Sequence, residues 1–167
     1  MIKINLLVTS LAALVPIVLG SLWYNPKVFG RAWIKATGLA EEELRNANMV
    51  KVFGLTLLFS FMLSVFLNMI VIHQFHFMSA LMNEPGLNEA GSATNAYAVD
   101  FFNKYGHNFR TFKHGMFHGT IAAIFMALPI IGILALFERK SGKYILIHTG
   151  YWILCMMLMG GIICQFT

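Results

Sequence analysis

Six histidines stand in this chain, and four of them fall into pairs that can do chemistry. His73 and His76 stand at i, i+3, and His114 and His118 at i, i+4; both spacings set two imidazole rings on one face of a helix. Imidazole ligates zinc, copper, iron and nickel, so two such pairs meeting across a helix contact make a four-ligand site. A haem held by one histidine from each helix is a subset of that reading. No His-Glu-x-x-His or Cys-x-x-Cys accompanies the pairs, so the pattern is a constellation rather than a signature. The competing reading is structural: histidines suit the headgroup level, which His107, Phe75, Phe77, Phe109, Phe112 and Phe117 share. Zinc, copper and haem are the cofactors this pattern admits.

Other polar groups sit inside apolar sequence. His148 lies about one turn into the last apolar run, with Glu138 at a similar level, and the two can form a buried polar pair. Thr56, Ser60, Ser64 and Asn68 recur every four residues, as do Gly115, Gly119, Ala123 and Ala127. Small residues at that spacing let helices approach closely. The polar stripe reads as glue within one bundle, as a polar path in an oligomer, or as a subunit interface.

The elements that must position these residues are four apolar runs at about 4–24, 52–75, 115–137 and 144–166, all free of Asp, Glu, Lys and Arg. A helix needs roughly 20 apolar residues to cross hydrocarbon, where each peptide group must bond within its own segment. The composition agrees, with 58% hydrophobic and 11% charged residues and a mean hydropathy of +0.70, against roughly a quarter charged in soluble domains. The expected fold is therefore all-α: a polytopic four-transmembrane-helix bundle, one domain over 1–167. Its surroundings are the lipid bilayer. The net charge of +5 comes from cations flanking the runs, with no stripe of interleaved aromatics, so nucleic acid is not an expected partner. Met1–Lys3 followed by an apolar run resembles the start of a secretory signal. The run closes on Trp23-Tyr24-Asn25-Pro26 without a small-x-small site, however, and reads as a retained span. Cys155 and Cys164 lie on one helix about 13 Å apart along its axis, too far for a disulfide.

The connections have their own patterns. Phe29, Ala32, Trp33 and Ala36 oppose Lys27, Arg31 and Lys35, which predicts an interfacial amphipathic helix ended by Gly38. Glu41, Glu42 and Glu43 fit a helical lead-in to the second span. The 76–114 connection is long and polar in its middle. Ser92 or Thr94 can cap a helix there that carries Tyr97, Phe101 and Tyr105 and stops before Gly106. Pro16 and Pro129 should kink the first and third spans. Lys27, Arg31, Lys35, Arg45, Lys51, Arg139, Lys140 and Lys143 outweigh Lys3, Lys104, Arg110 and Lys113, so both termini and the 76–114 loop are expected outside, in the periplasm.

At Trp23-Tyr24-Asn25-Pro26, Phe29-Gly30-Arg31-Ala32-Trp33 and Thr37-Gly38-Leu39 the chain resembles the bacterial membrane family known as domain of unknown function 1761. The resemblance continues through His114-Gly115-x-x-His118-Gly119, Leu136-Phe137-Glu138 and Gly150-Tyr151-Trp152, over nearly the whole chain. It implies four helices in a bacterial inner membrane, and it carries over no activity and no catalytic residues. The stretch Asn108–His114 and the long loop look like the form seen in Bacteroidetes-type bacteria.

With no Ser-His-Asp arrangement, paired acids or phosphate loop in reach of water, an enzyme is not the expected reading. The first expectation is an oligomeric small-solute- or ion-binding, transport-related or accessory membrane protein, assembled with its own copies or with another membrane protein. The alternative is a metal- or haem-binding membrane protein using the outer-face histidines.

Overall fold

Peptide groups in hydrocarbon have no water to bond, and the chain meets that constraint with helices throughout. The computed structural model describes residues 3–40, 42 and 46–167. Glu41 and Glu43 of the expected lead-in, and Arg45 among the flanking cations, lie outside the described residues. Four helices, Leu6–Trp23, Met49–Val71, Phe112–Phe137 and Gly142–Phe166, are long and apolar enough to cross a membrane, and no strand occurs among the described residues. Val50, Phe125 and Phe137 expose most of their side chains, an arrangement that lipid stabilises and water does not. The molecule is a multi-pass four-helix membrane protein.

Capping residues, rather than hydropathy, fix where the spans begin. Asn5 accepts a hydrogen bond from the Val8 amide at 3.3 Å, Asn48 from Lys51 at 3.1 Å, Thr111 from His114 at 3.2 Å and Ser141 from Tyr144 at 3.3 Å. Each satisfies an amide that the first helical turn leaves without a partner. The second and third spans therefore start at Met49 and Phe112, ahead of the apolar runs. The second span also ends sooner than its run, at Val71 and not Phe75. Ile72 turns extended, with φ −113 and ψ 99, and the chain restarts as a short helix over Gln74–Leu81.

The fourth span is the centre of the bundle, with Cys155, Met156, Met159, Gly160, Ile163 and Cys164 all buried. Against it packs the third span, through glycines. A Cβ added at Gly115 would strike the Gly160 carbonyl, and one added at Gly119 would strike the Met156 carbonyl, so the stripe of small residues brings the two backbones into contact. On the other side, Asn68 of the second span donates to Thr9 Oγ1 of the first at 3.2 Å. Ser60, Ser64 and Asn68 are buried within the bundle, while Thr56 is half-exposed. Both prolines follow an irregularity in their span. The first span breaks at Ala13–Leu14 just before Pro16, and a five-residue π segment, Ala123–Ala127, precedes Pro129, absorbing the lost amide donor.

The described parts of the connections are largely helices and turns. Gly30–Thr37 forms the interfacial helix, stopped by Gly38 at φ 75, with Lys27, Arg31 and Lys35 exposed. Ala93–Tyr105 is helical with Ser92 as its cap, and Phe77 stacks on its Phe101 with ring centroids 3.6 Å apart. The Gln74 amide donates to the carbonyls of Tyr105 and Asn108, each at 2.9 Å, which ties the loop to the short helix.

The glycine contact makes a direct prediction. Gly119→Leu must drive a side chain into backbone, at a cost of about 3 kcal/mol or more. A Cβ added at Gly132 meets nothing within 4 Å, so Gly132→Leu should be close to neutral. Thermal unfolding in detergent, followed by size-exclusion chromatography, should show aggregation of the first variant at temperatures the second survives.

Candidate metal centre

The break at Ile72 sets His73 at the start of the short helix, where it is exposed to the outside of the bundle. The Thr111 cap begins the third span so that His114 falls in its first turn and His118 one turn later. The three rings meet. Their ligand nitrogens all lie within 4.8 Å of one another, and His73 Nε2 is 2.9 Å from His114 Nε2. Ring centroids stand 4.9 Å apart for His73–His114, 4.8 Å for His73–His118 and 4.4 Å for His114–His118. A contact between two ring nitrogens requires one to donate and the other to accept, so one of the two carries no proton.

His76 is not part of the cluster. His76 follows His73 by one turn of the short helix, its amide bonded to the His73 carbonyl at 3.0 Å, yet it lies outside the group of three rings and lines a separate cavity with Met69 and Met78. His107 is exposed on the loop.

Residues that the sequence places at the histidine level as aromatics or flanking cations stand around the three rings. Phe109 has φ 62, a left-handed conformation that is costly for a bulky side chain. The strained backbone lays its ring over His114, 5.2 Å between centroids and 30° between planes, and edge-on to His73 at 6.2 Å. Its carbonyl accepts from the Thr111 amide at 2.9 Å and from the Cys164 thiol at 3.3 Å. Arg110 Nε donates to the Cys164 carbonyl at 3.3 Å, and burial lowers this guanidinium's pKa from its ordinary value. Phe117 stands edge-on to His118 at 5.5 Å. The sequence shows the level of Phe109 and Phe117 and, in Thr111, a hydroxyl residue just ahead of an apolar run, but not the backbone turn at Phe109. One exposed and two half-buried imidazoles beside phenyl rings can hold a small cation or donate to a small anion.

At the opposite end of the bundle, His148 finds its partner in Tyr24, whose hydroxyl is 3.1 Å from Nδ1, and not in Glu138, which is exposed. The direction of that bond follows the His148 tautomer. The ring of Tyr144 lies 4.3 Å from that of His148. Trp23 Nε1 donates to the Ile147 carbonyl at 3.1 Å, and the Trp23 ring closes on Gly150, where a Cβ would come within 3.1 Å. The Tyr151 hydroxyl donates to the Pro16 carbonyl at 2.7 Å. The Trp23-Tyr24 and Gly150-Tyr151 phrases are thus two halves of one joint between the first and fourth spans.

A family model described as Protein of unknown function (DUF1761) matches residues 7–164. No curated protein and no solved structure matches the chain.

The joint is testable by a double-mutant cycle. Tyr24→Phe and His148→Leu should each destabilise by about 1 kcal/mol, and the double variant should cost less than the sum because both remove the same bond. Chemical denaturation in mixed micelles reads the three differences.

Proposed function

We propose that this chain, which belongs to the DUF1761 family of proteins of unknown function, binds a divalent transition-metal ion at one membrane surface through His73, His114 and His118. The observation that carries the reading is the convergence of three ligand nitrogens within 4.8 Å. Around a tetrahedral zinc with Zn–N of roughly 2.0–2.1 Å, neighbouring nitrogens stand about 3.3 Å apart. The 2.9 Å between His73 and His114 opens to that value with a small rotation of either ring. Three neutral nitrogen donors without a thiolate suit zinc or copper(II).

The same distances argue against haem. Two axial histidines must face each other across a macrocycle, whereas here two ring nitrogens touch directly and a third ring closes on the same side. Three ligands at an exposed position leave coordination sites for water or an exchanging ligand, as in sites that act on or pass on their metal rather than bury it as a structural staple. The burial of Ser60, Ser64 and Asn68 inside one chain supports a stabilising role for that stripe. The function we assign is reversible capture of zinc or copper(II). The excess of cations on the 24–51 and 138–143 connections supports placing the histidine face outside the cytoplasm of a bacterial inner membrane.

Chelator-stripped protein in detergent, titrated with zinc against a competing indicator, should bind close to one ion per chain. Alanine at His73, His114 or His118 should each weaken binding by more than the roughly 10–100-fold lost with a ligand's supporting partner, while His76→Ala and His107→Ala should leave it unchanged. Ligand nitrogens must be free of protons, and imidazole ordinarily titrates near 6.5. Affinity should therefore fall between pH 7.5 and 5.5. Equal affinity in wild type and the three ligand variants would refute the site.

A further inference from the structure

A cavity of about 460 Å³ lies beside the short helix. It straddles the end of the second span. Met69 belongs to the last turn inside the membrane, whereas His76, Ser79 and Asn88 follow the span's end at Val71. Liquid water takes about 30 Å³ per molecule, so the space would hold about fifteen waters, and it falls within the roughly 300–1,000 Å³ of small-molecule sites. The walls are a poor host for water, being formed largely by the thioethers of Met69, Met78 and Met82 and the ring of Phe75.

Three properties of the lining select the occupant. Asp, Glu, Lys and Arg are absent from it, so a charged ligand would lose its hydration without gaining a counter-charge. Thioethers and a phenyl ring favour a flat, polarisable partner, since sulfur packs well against aromatic edges. His76, Ser79 and Asn88 add hydrogen-bond donors and acceptors to the lining, where they can meet an oxygen. Met69 and Met82 are 49% and 67% exposed, so the cavity opens to the surroundings of the bundle.

We propose that this cavity binds a neutral, lipid-soluble ring compound carrying a carbonyl or hydroxyl oxygen, of about the size of a benzoquinone head group. The ring lies among the methionines and Phe75, its oxygen meets His76, Ser79 or Asn88, and its tail leaves past Met69 into lipid. Copper(I) also accepts thioether and imidazole ligands, but an ion fills a small part of such a volume. The assignment uses none of the three clustered histidines, so it stands or falls separately from the metal reading.

The test uses the full chain in lipid nanodiscs with a photoreactive azido-benzoquinone bearing a decyl tail, and label positions are mapped by peptide mass spectrometry. Saturable labelling of the 69–88 segment, displaced by unlabelled decyl-tailed benzoquinone, is expected. Ser79→Trp, which fills the space, should reduce it by at least about tenfold, and His76→Leu should raise the displacing concentration by about tenfold, the loss of one good hydrogen bond. His73→Ala should label as wild type does. Size-exclusion profiles and melting temperatures equal to wild type qualify the Ser79→Trp protein, and Met78→Trp serves if it fails to fold. Label spread evenly over lipid-facing helices, labelling unchanged by a filled cavity, a phospholipid held there that the quinone does not displace, or silver(I) bound one per chain and blocking the probe would each overturn the proposal.

Discussion

Backbone contact between the third and fourth spans is the interaction on which the rest of the structure depends. Lipid tails are as apolar as leucine, so helices in a bilayer gain little by hiding hydrophobic surface and must instead fit closely. Gly115, Gly119 and Gly160 allow that fit, because any larger residue would meet a carbonyl. The contact also fixes register. Gly115 and Gly119 each follow directly after a cluster histidine, so the turn that seats the glycines against the fourth span points His114 and His118 away from it. Cys164, one turn along the fourth span from Gly160, then reaches the carbonyls of Val71 and Phe109. A single packing surface thus positions two rings directly and steadies the ends of the two segments that carry His73 and Phe109.

His73 reaches the cluster only because the second span stops. Ile72 breaks the helix ahead of both histidines, and His76 then follows His73 by one turn of the short helix, its amide bonded to the His73 carbonyl at 3.0 Å. The extended residue Ile72 frees His73 to fold back toward the third span and sends His76 with the short helix into the wall of the adjacent cavity. One change of backbone conformation thereby redirects the turn from which His73 meets the third-span histidines and His76 lines a different cavity.

Much of this was legible in the sequence. Four uncharged apolar runs give four spans, since nothing but hydrocarbon tolerates them. Gly38 ends the interfacial helix and Ser92 caps the loop helix because local side-chain and backbone preferences decide helix ends. The histidine spacing on the third span is legible for the same reason, being local. What was not legible depends on contacts across the fold. Ile72 is apolar and β-branched, with no glycine or proline beside it to announce a stop. Phe109 takes a backbone conformation that its own side chain disfavours, and only the bonds to its carbonyl from Thr111 and Cys164 explain it. Glu138 looked a suitable partner for His148 by level alone. Tyr24, far away in sequence, wins because Trp23 and Gly150 bring the first span against the fourth at that point.

The two ends of the bundle therefore use imidazole in opposite ways. His148 is half-buried, with Nδ1 bonded to a phenol and Nε2 enclosed without a partner. An ion arriving there would have to shed its water and displace a tyrosine, a penalty that a single nitrogen cannot offset. At the other end, His73 is exposed and its partners are half-buried, so an ion can keep some of its hydration while exchanging part of it for three nitrogens. Side walls of Phe109 and Phe117 limit access without closing it. Partial exposure is what separates a site that can load and unload from a residue that only holds two helices together, and it is the surface cluster, not the buried histidine, that meets this condition.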